Sequence, residues 1–399
     1  MSPGPELRAL VAAGYAAVVG SLMFMIAPVV LGAMARNGAF SAGELGLLGS
    51  APMFGMFAGA LAAGVAVERL RRRGTVLALV VLMAAAYFLL AKWHLQMAPT
   101  AALLFVSGVA GAGLMAVGFA ALSGARLPDR AFAVWIALQL ATGSAAVAIL
   151  GAVGDAHGPG AMIVALGALT LSPMALASWL PQSAGTTVGR TPQAGSPGAV
   201  AMAAEARGRA PMTRALALTA VVLFGAGVMI VWPFMEELGR ERFGSAGPAR
   251  EAISLSLAVS IVAALCASAL AGRLRRRLPM IAATAMIAMG AWLVASADSP
   301  TGFVAGGISL AFGWNLIPAF QLGVLTDIDR SGRLVVLNIA FMKLGYALGP
   351  LLAGLLPGHG WYGPVSAALV LPSLLLFLWL DATNAGASDP AISASNPSG

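Results

Sequence analysis

Charge is what this 399-residue sequence has least of. Only 10% of its residues are Asp, Glu, Lys or Arg, while 59% are hydrophobic and the mean hydropathy is +0.89. A water-soluble domain carries roughly 25% charged residues, so a soluble monomer is excluded. Cysteine is nearly absent: Cys266 stands alone in an apolar run, which excludes a disulfide framework and a Cys-based metal site. Histidine is scarce too. His94, His157 and His359 lie in separate segments, none in HExxH spacing, so the sequence offers neither a metal site nor a cofactor. It contains no GxSxG and no phosphate-binding loop, so no catalytic residue is nominated and the chain reads as a non-enzyme. The ten-residue alternation of an outer-membrane barrel is missing as well. The 19 methionines are scattered, and Met23 and Met25 point to different helix faces, as core filling does.

What the chain has instead is apolar stretches, each long enough to cross ~30 Å of hydrocarbon as a helix. Twelve are read, at roughly 9–34, 44–67, 75–92, 99–122, 131–153, 160–180, 214–236, 250–271, 279–297, 301–325, 334–356 and 362–380. The first is too long for a signal peptide and reads as a retained span. Between the sixth and seventh lies "PQSAGTTVGRTPQAGSPGAVAMAAEARGRAP", whose Pro, Gly, Ser and Thr mark a linker. The expected organisation is an all-α integral membrane protein. It comprises a six-helix bundle at 1–180, a cytoplasmic linker at 181–213, a second bundle at 214–381 and a disordered tail at 382–399.

The net charge of +8 is unevenly placed. With the N-terminus on one side, that side collects seventeen of the 23 basic residues. The opposite loops hold five: Arg36, Lys92, Arg240, Arg242 and Arg250. The positive-inside rule then puts both termini in the cytoplasm. The basic surplus is a topology signal, and no nucleic-acid partner is implied. Abundant Ala, Gly and Arg suggest a GC-rich bacterial genome, hence the inner membrane.

The chain also repeats itself. "ERLRRR" at 68–73 matches "GRLRRR" at 272–277 with an offset of 204. "MFMIAP" ending at Pro28 matches "VMIVWP" ending at Pro233, and "PDR" at 128–130 matches "IDR" at 328–330. Two six-span units facing the same way form a parallel repeat, which places a substrate site between them near mid-membrane.

On these residues the chain resembles the major facilitator superfamily over all twelve spans. The family signature between its second and third helices is Gly, Asp four residues on, Arg, a spacer, Gly and two basic residues. Gly64, Glu68, Arg69, Arg72 and Arg73 stand at those places, with Glu68 in place of Asp and Arg71 in place of the second Gly. The second copy keeps Arg273, Arg276 and Arg277. The resemblance implies a secondary transporter that works by alternating access, with this turn as its cytoplasmic gate. The alternative is that its arginines only enforce orientation and bind anionic membrane lipid, which would not require their fixed spacing to Gly64.

An ionisable residue inside a span marks function, because an unpaired charge in lipid costs several kcal/mol. Lys343 is the clear case, about 15 Å along the eleventh span, with Tyr346 on its face. No carboxylate lies at matching depth in another span, so an anionic substrate such as a carboxylate is expected to pair with Lys343. A neutral or proton-carrying lysine is the alternative. Gln139 and Thr142 on the fifth span and Trp314, Asn315 and Gln321 on the tenth are further binding candidates, with Trp135 and Tyr15 as walls. Pro28, Pro233, Pro318 and Pro350 should bend their helices. Arg36, Glu44, Glu236 and Glu237 are candidates for an external gate or for coupling to protons. "GYALGPLLAG" in the eleventh span reads as close packing. A drug/proton antiporter or a metal-ion importer of the same superfamily is the competing reading, and a monomer is expected.

Overall fold

A computed structural model of the chain describes residues 5–36, 40–70, 73–123, 125, 128–180, 210–329 and 333–387. Among the described residues all regular structure is helical. Hydrocarbon offers the backbone no hydrogen-bond partner, so each long apolar run must satisfy its own N–H and C=O groups as a helix. The first half comprises α1 (Pro5–Ala35), α2 (Ala42–Leu70), α3 (Arg73–Trp93), α4 (Met97–Ser123) and α5 (Pro128–Thr170), closed by a 3-10 segment at Ser172–Trp179. The second comprises α6 (Ala210–Met229), α7 (Met235–Phe243), α8 (Gly247–Leu270), α9 (Arg277–Ser296), α10 (Pro300–Leu316), α11 (Pro318–Ile328), α12 (Arg333–Gly354) and α13 (Tyr362–Ala387).

Eleven described stretches are long and apolar enough to cross a membrane, and the chain is a multi-pass membrane protein. One of them, Val134–Trp179, has 46 residues, twice what a span needs. It breaks at Gly158, whose φ of 84° only glycine adopts freely, with Pro159 next. Spans five and six are therefore two helices that meet at a kink, and the count of twelve holds.

Two boundaries differ from the sequence reading. Helix α6 begins at Ala210, inside the segment assigned to the linker, and α13 runs to Ala387, past the start assigned to the tail. Polarity ends a membrane span without ending a helix. In α13 the Thr383 hydroxyl bonds back to the carbonyls of Trp379 and Leu380 at 3.0 and 3.1 Å, which carries the turn onward. The rest of the linker, 181–209, and of the tail, 388–399, lies outside the described residues.

Two of the four prolines interrupt their helices. A 3-10 turn at Trp232–Phe234 separates α6 from α7 around Pro233, and Ile317 separates α10 from α11 before Pro318. Helices α1 and α12 run through Pro28 and Pro350. Residues 16–34 of helix α1 are all buried, so this helix runs through the interior.

Glycines let the halves touch. A Cβ at Gly46 of α2 would stand 2.5 Å from the Pro350 carbonyl of α12. Within the second half, a Cβ at Gly345 would stand 2.5 Å from the Val222 carbonyl, and one at Gly349 2.5 Å from Met229 Cβ. Nothing larger fits without parting the helices, so "GYALGPLLAG" serves close packing of α12 on both α2 and α6.

Candidate functional site

Lys343 stands at the middle of α12, half-buried. Its ammonium lies 4.5 Å from the ring centre of Phe24 and 5.1 Å from that of Tyr346. Phe24 belongs to α1, so the lysine faces the seam between the halves and not the lipid. Among the described residues no carboxylate pairs with it. Its electrostatic partners are ring faces, which stabilise a cation by about 0.5–2 kcal/mol, well short of what an anion in a dry site supplies.

The rings form one cluster across the seam. Phe24 stacks on Tyr346 with centroids 5.1 Å apart and planes 14° from parallel. Trp314 meets both edge-on, at 5.3 and 5.9 Å, and Trp232 meets Trp314 at 5.6 Å. Trp314 Nε1 donates to the Tyr346 hydroxyl at 2.9 Å, so that hydroxyl keeps its own proton for a further acceptor. Trp232 Nε1 donates to the Phe24 carbonyl at 3.3 Å. Pro28, four residues on, has no N–H to claim that carbonyl. The proline of the first half thus frees the acceptor that an indole of the second half uses.

The other binding candidates are placed differently. Asn315 donates to Ser260 Oγ at 2.8 Å and to the Ala311 carbonyl at 2.9 Å, tying α10 to α8. Gln321 is buried with both amide atoms unpartnered among the described residues. Gln139 and Thr142 are half-buried on α5, and no described contact joins them to Lys343. Trp135 packs edge-on against Phe119 at 4.8 Å, and Tyr15 bonds Ser172 at 2.9 Å. A groove of about 520 Å³, lined by Leu140, Ser144, Ser254 and Ala258, opens sideways between α5 and α8 and does not include Lys343.

The face opposite the termini is closed by charge. Arg36 ends α1 and bonds Asp155 at 3.1 Å and Glu236 at 3.3 Å. Arg250 of α8 bonds the Glu236 oxygens at 3.0 and 3.1 Å and both oxygens of Asp155, one of them at 3.0 Å. Glu236 is fully buried, in the first turn of α7, where a helix favours negative charge. Two arginines and two carboxylates, one of each from each half, neutralise one another. Arg240 adds a bond to the Gly32 carbonyl at 3.2 Å. Arg240 is Arg36 shifted by 204, and Glu236 is Gly32 shifted by 204, so the repeat makes the same crossing twice.

Of the four residues proposed for this rim, Arg36 and Glu236 meet. Glu44 instead accepts from the Ser41 N–H and hydroxyl at 2.8 Å each, capping its own helix. Glu237 lies beside Glu241 and His359. The partners that sequence reasoning missed are Asp155 and Arg250, and in the ring cluster Phe24 and Trp232. Asp155 carried a signal: it is an acid in an otherwise apolar run, just before the Gly158 break. Arg250 carried none beyond its outer loop.

On the face that bears the termini, the described charges pair within the second half. Arg276 bonds Asp327, Arg277 bonds Asp381 at 3.1 Å, and Arg214 lies 3.7 Å from Asp329. Arg273 is exposed and Arg73 half-buried. Gly64, Glu68 and Arg69, as regards side chains, and Arg72 altogether lie outside the described residues.

A family model described as Major Facilitator Superfamily matches residues 13–326. No curated protein sequence matches the chain. Among solved structures, the nucleoside transporter NupG is similar at 14% identity, covering 95% of this chain and 99% of that one, with a TM-score of 0.68. The xylose transporter XylE from E. coli, in a partially occluded inward-open conformation, is similar at 13% identity, covering 93% and 99%, with a TM-score of 0.66. The human organic anion transporter MFSD10 is similar at 16% identity, covering 94% and 100%, with a TM-score of 0.63.

Proposed function

The chain belongs to the Major Facilitator Superfamily, and from that premise we propose that it carries a small organic anion, such as a carboxylate, across a bacterial inner membrane by alternating access. The reading rests on one observation: the Lys343 ammonium sits at the seam of the halves, at mid-helix, without a carboxylate partner among the described residues. A carboxylate substrate would supply the missing charge and could accept the Tyr346 proton beside the lysine. Trp314 and Trp232 pack around those rings, and Gln321 is a buried amide without a hydrogen-bond partner among the described residues. A cationic drug fits worse, because the lysine already occupies the ring faces.

In this reading the termini are cytoplasmic, and the network of Arg36, Asp155, Glu236 and Arg250 shuts the outer mouth. The inner latch falls to Gly64, Glu68, Arg69, Arg72 and Arg73 with their second-copy arginines, and a monomer suffices. Similar folds handle a sugar, nucleosides and organic anions. At 12–16% identity they share the fold alone, so the anion reading rests on the lysine.

The test is a thermal-shift screen of carboxylates, other small anions and cationic drugs on the purified chain. A ligand at 100 times its Kd stabilises by about 2.7 kcal/mol. Carboxylates should raise the Tm of the wild type and of Lys343→Arg but not of Lys343→Ala. Stabilisation by cationic drugs alone, or by carboxylates equally in Lys343→Ala, would overturn the anion assignment.

A further inference from the structure

Glu237 and Glu241 lie one turn apart on α7 and share a face, and His359 begins the 3-10 turn before α13. One ligand atom from each falls within 4.8 Å of the other two. His359 Nδ1 is 2.7 Å from Glu241 Oε2, whereas the Glu237 carboxylate has no hydrogen-bond partner among the described residues. A fourth group lies beside them. Tyr362 is only 2% exposed and its hydroxyl has no hydrogen-bond partner among the described residues. Its ring lies 5.0 Å from that of His359, and its phenol is within electrostatic range of both carboxylates.

We infer that Glu237, Glu241 and His359 form a divalent transition-metal site, with zinc the best-fitting ion, on the face opposite the termini. One imidazole and two carboxylates make a donor set zinc accepts, at about 2.0–2.2 Å per bond. In a tetrahedral site those donors sit about 3.4 Å apart, within side-chain adjustment of where they now stand. The mixed nitrogen and oxygen set disfavours calcium and magnesium, which take oxygen alone. Tyr362, a buried phenol within electrostatic range of both carboxylates, would serve as an outer partner of a carboxylate ligand. Both carboxylates share the nine-residue α7 with Glu236 and Arg240. A bound ion therefore ties the segment that closes the outer seam to the loop before α13. The site also occupies a place in the repeat, since His359 is Asp155 shifted by 204. Where the first half has an ion pair that crosses to its partner, the second half has a ligand set facing its own loop.

Calorimetric titration of zinc chloride into the purified full-length chain tests the site. One ion should bind per chain, with affinity falling by about tenfold or more in His359→Ala and in Glu241→Gln. His94→Ala and His157→Ala should leave it unchanged. A wild-type chain that takes up no zinc below about 100 µM, the weak end of dedicated protein metal sites, would overturn the assignment. So would stoichiometric binding that survives both ligand variants. Zinc absorption-edge spectroscopy of the wild type gives a check that needs no variant. One imidazole with oxygen neighbours is expected, and two or more imidazoles overturn the site. None of these results depends on what is carried past Lys343.

Discussion

The two faces of the molecule treat charge in opposite ways. Opposite the termini, Arg36 and Asp155 of the first half bond Glu236 and Arg250 of the second, and Arg240 reaches back to Gly32. At the termini, the described pairs Arg276 with Asp327, Arg277 with Asp381 and Arg214 with Asp329 all stay within one half. Among the described residues, these charge pairs join half to half on one face and lie within the second half on the other. The contrast also locates the energy: Glu236 is fully buried among its arginines, while Arg276 and Asp327 are 38% and 53% exposed.

Glu236→Ala should break the contrast most. It leaves two arginines to share one exposed carboxylate, and losing one partner of a buried ion network costs about 3–5 kcal/mol. With spin labels on Ala156→Cys and Leu355→Cys in a Cys266→Ser background, the two positions should separate and the Tm should fall. An unchanged distance would mean that packing, not charge, shuts this face. Arg240→Ala should have a smaller effect, since a hydrogen bond from a charged donor is worth about 1.5–3 kcal/mol. It should widen the same label pair part of the way, and a shift as large as that of Glu236→Ala would remove the central place given to the carboxylate. Arg276→Ala should matter least, because an exposed pair contributes about 0–1 kcal/mol. Its label distance should match the wild type within error, and any opening of the far face would show that the two faces are coupled through the second half.

Much of the fold was legible because hydrocarbon leaves the backbone few options. The twelve spans, the all-α class and the family follow from the apolar runs, the arginine turns and the 204-residue offset, and the structure and comparisons bear them out. The break at Gly158 was legible, because a glycine before a proline ends one helix and starts the next. The site was legible only in part. Lys343 announced itself by depth, and Tyr346 by sharing its face. Phe24 and Trp232 did not, since an aromatic in an apolar run looks like every other core residue. Only the structure shows the Pro28-freed carbonyl of Phe24 meeting an indole 208 residues away.

Sequence alone determined that the chain crosses a membrane as two repeated bundles, because the length and polarity of each segment are local properties that solvent reads directly. Tertiary structure decided which charges find partners: Glu236 with Arg36, His359 with Glu241, and Lys343 with rings but no carboxylate. Those partners lie 118 to 319 residues apart in the chain, except Tyr346, which neighbours Lys343 on one helix. Their meeting depends on how helices pack, and no local pattern encodes that.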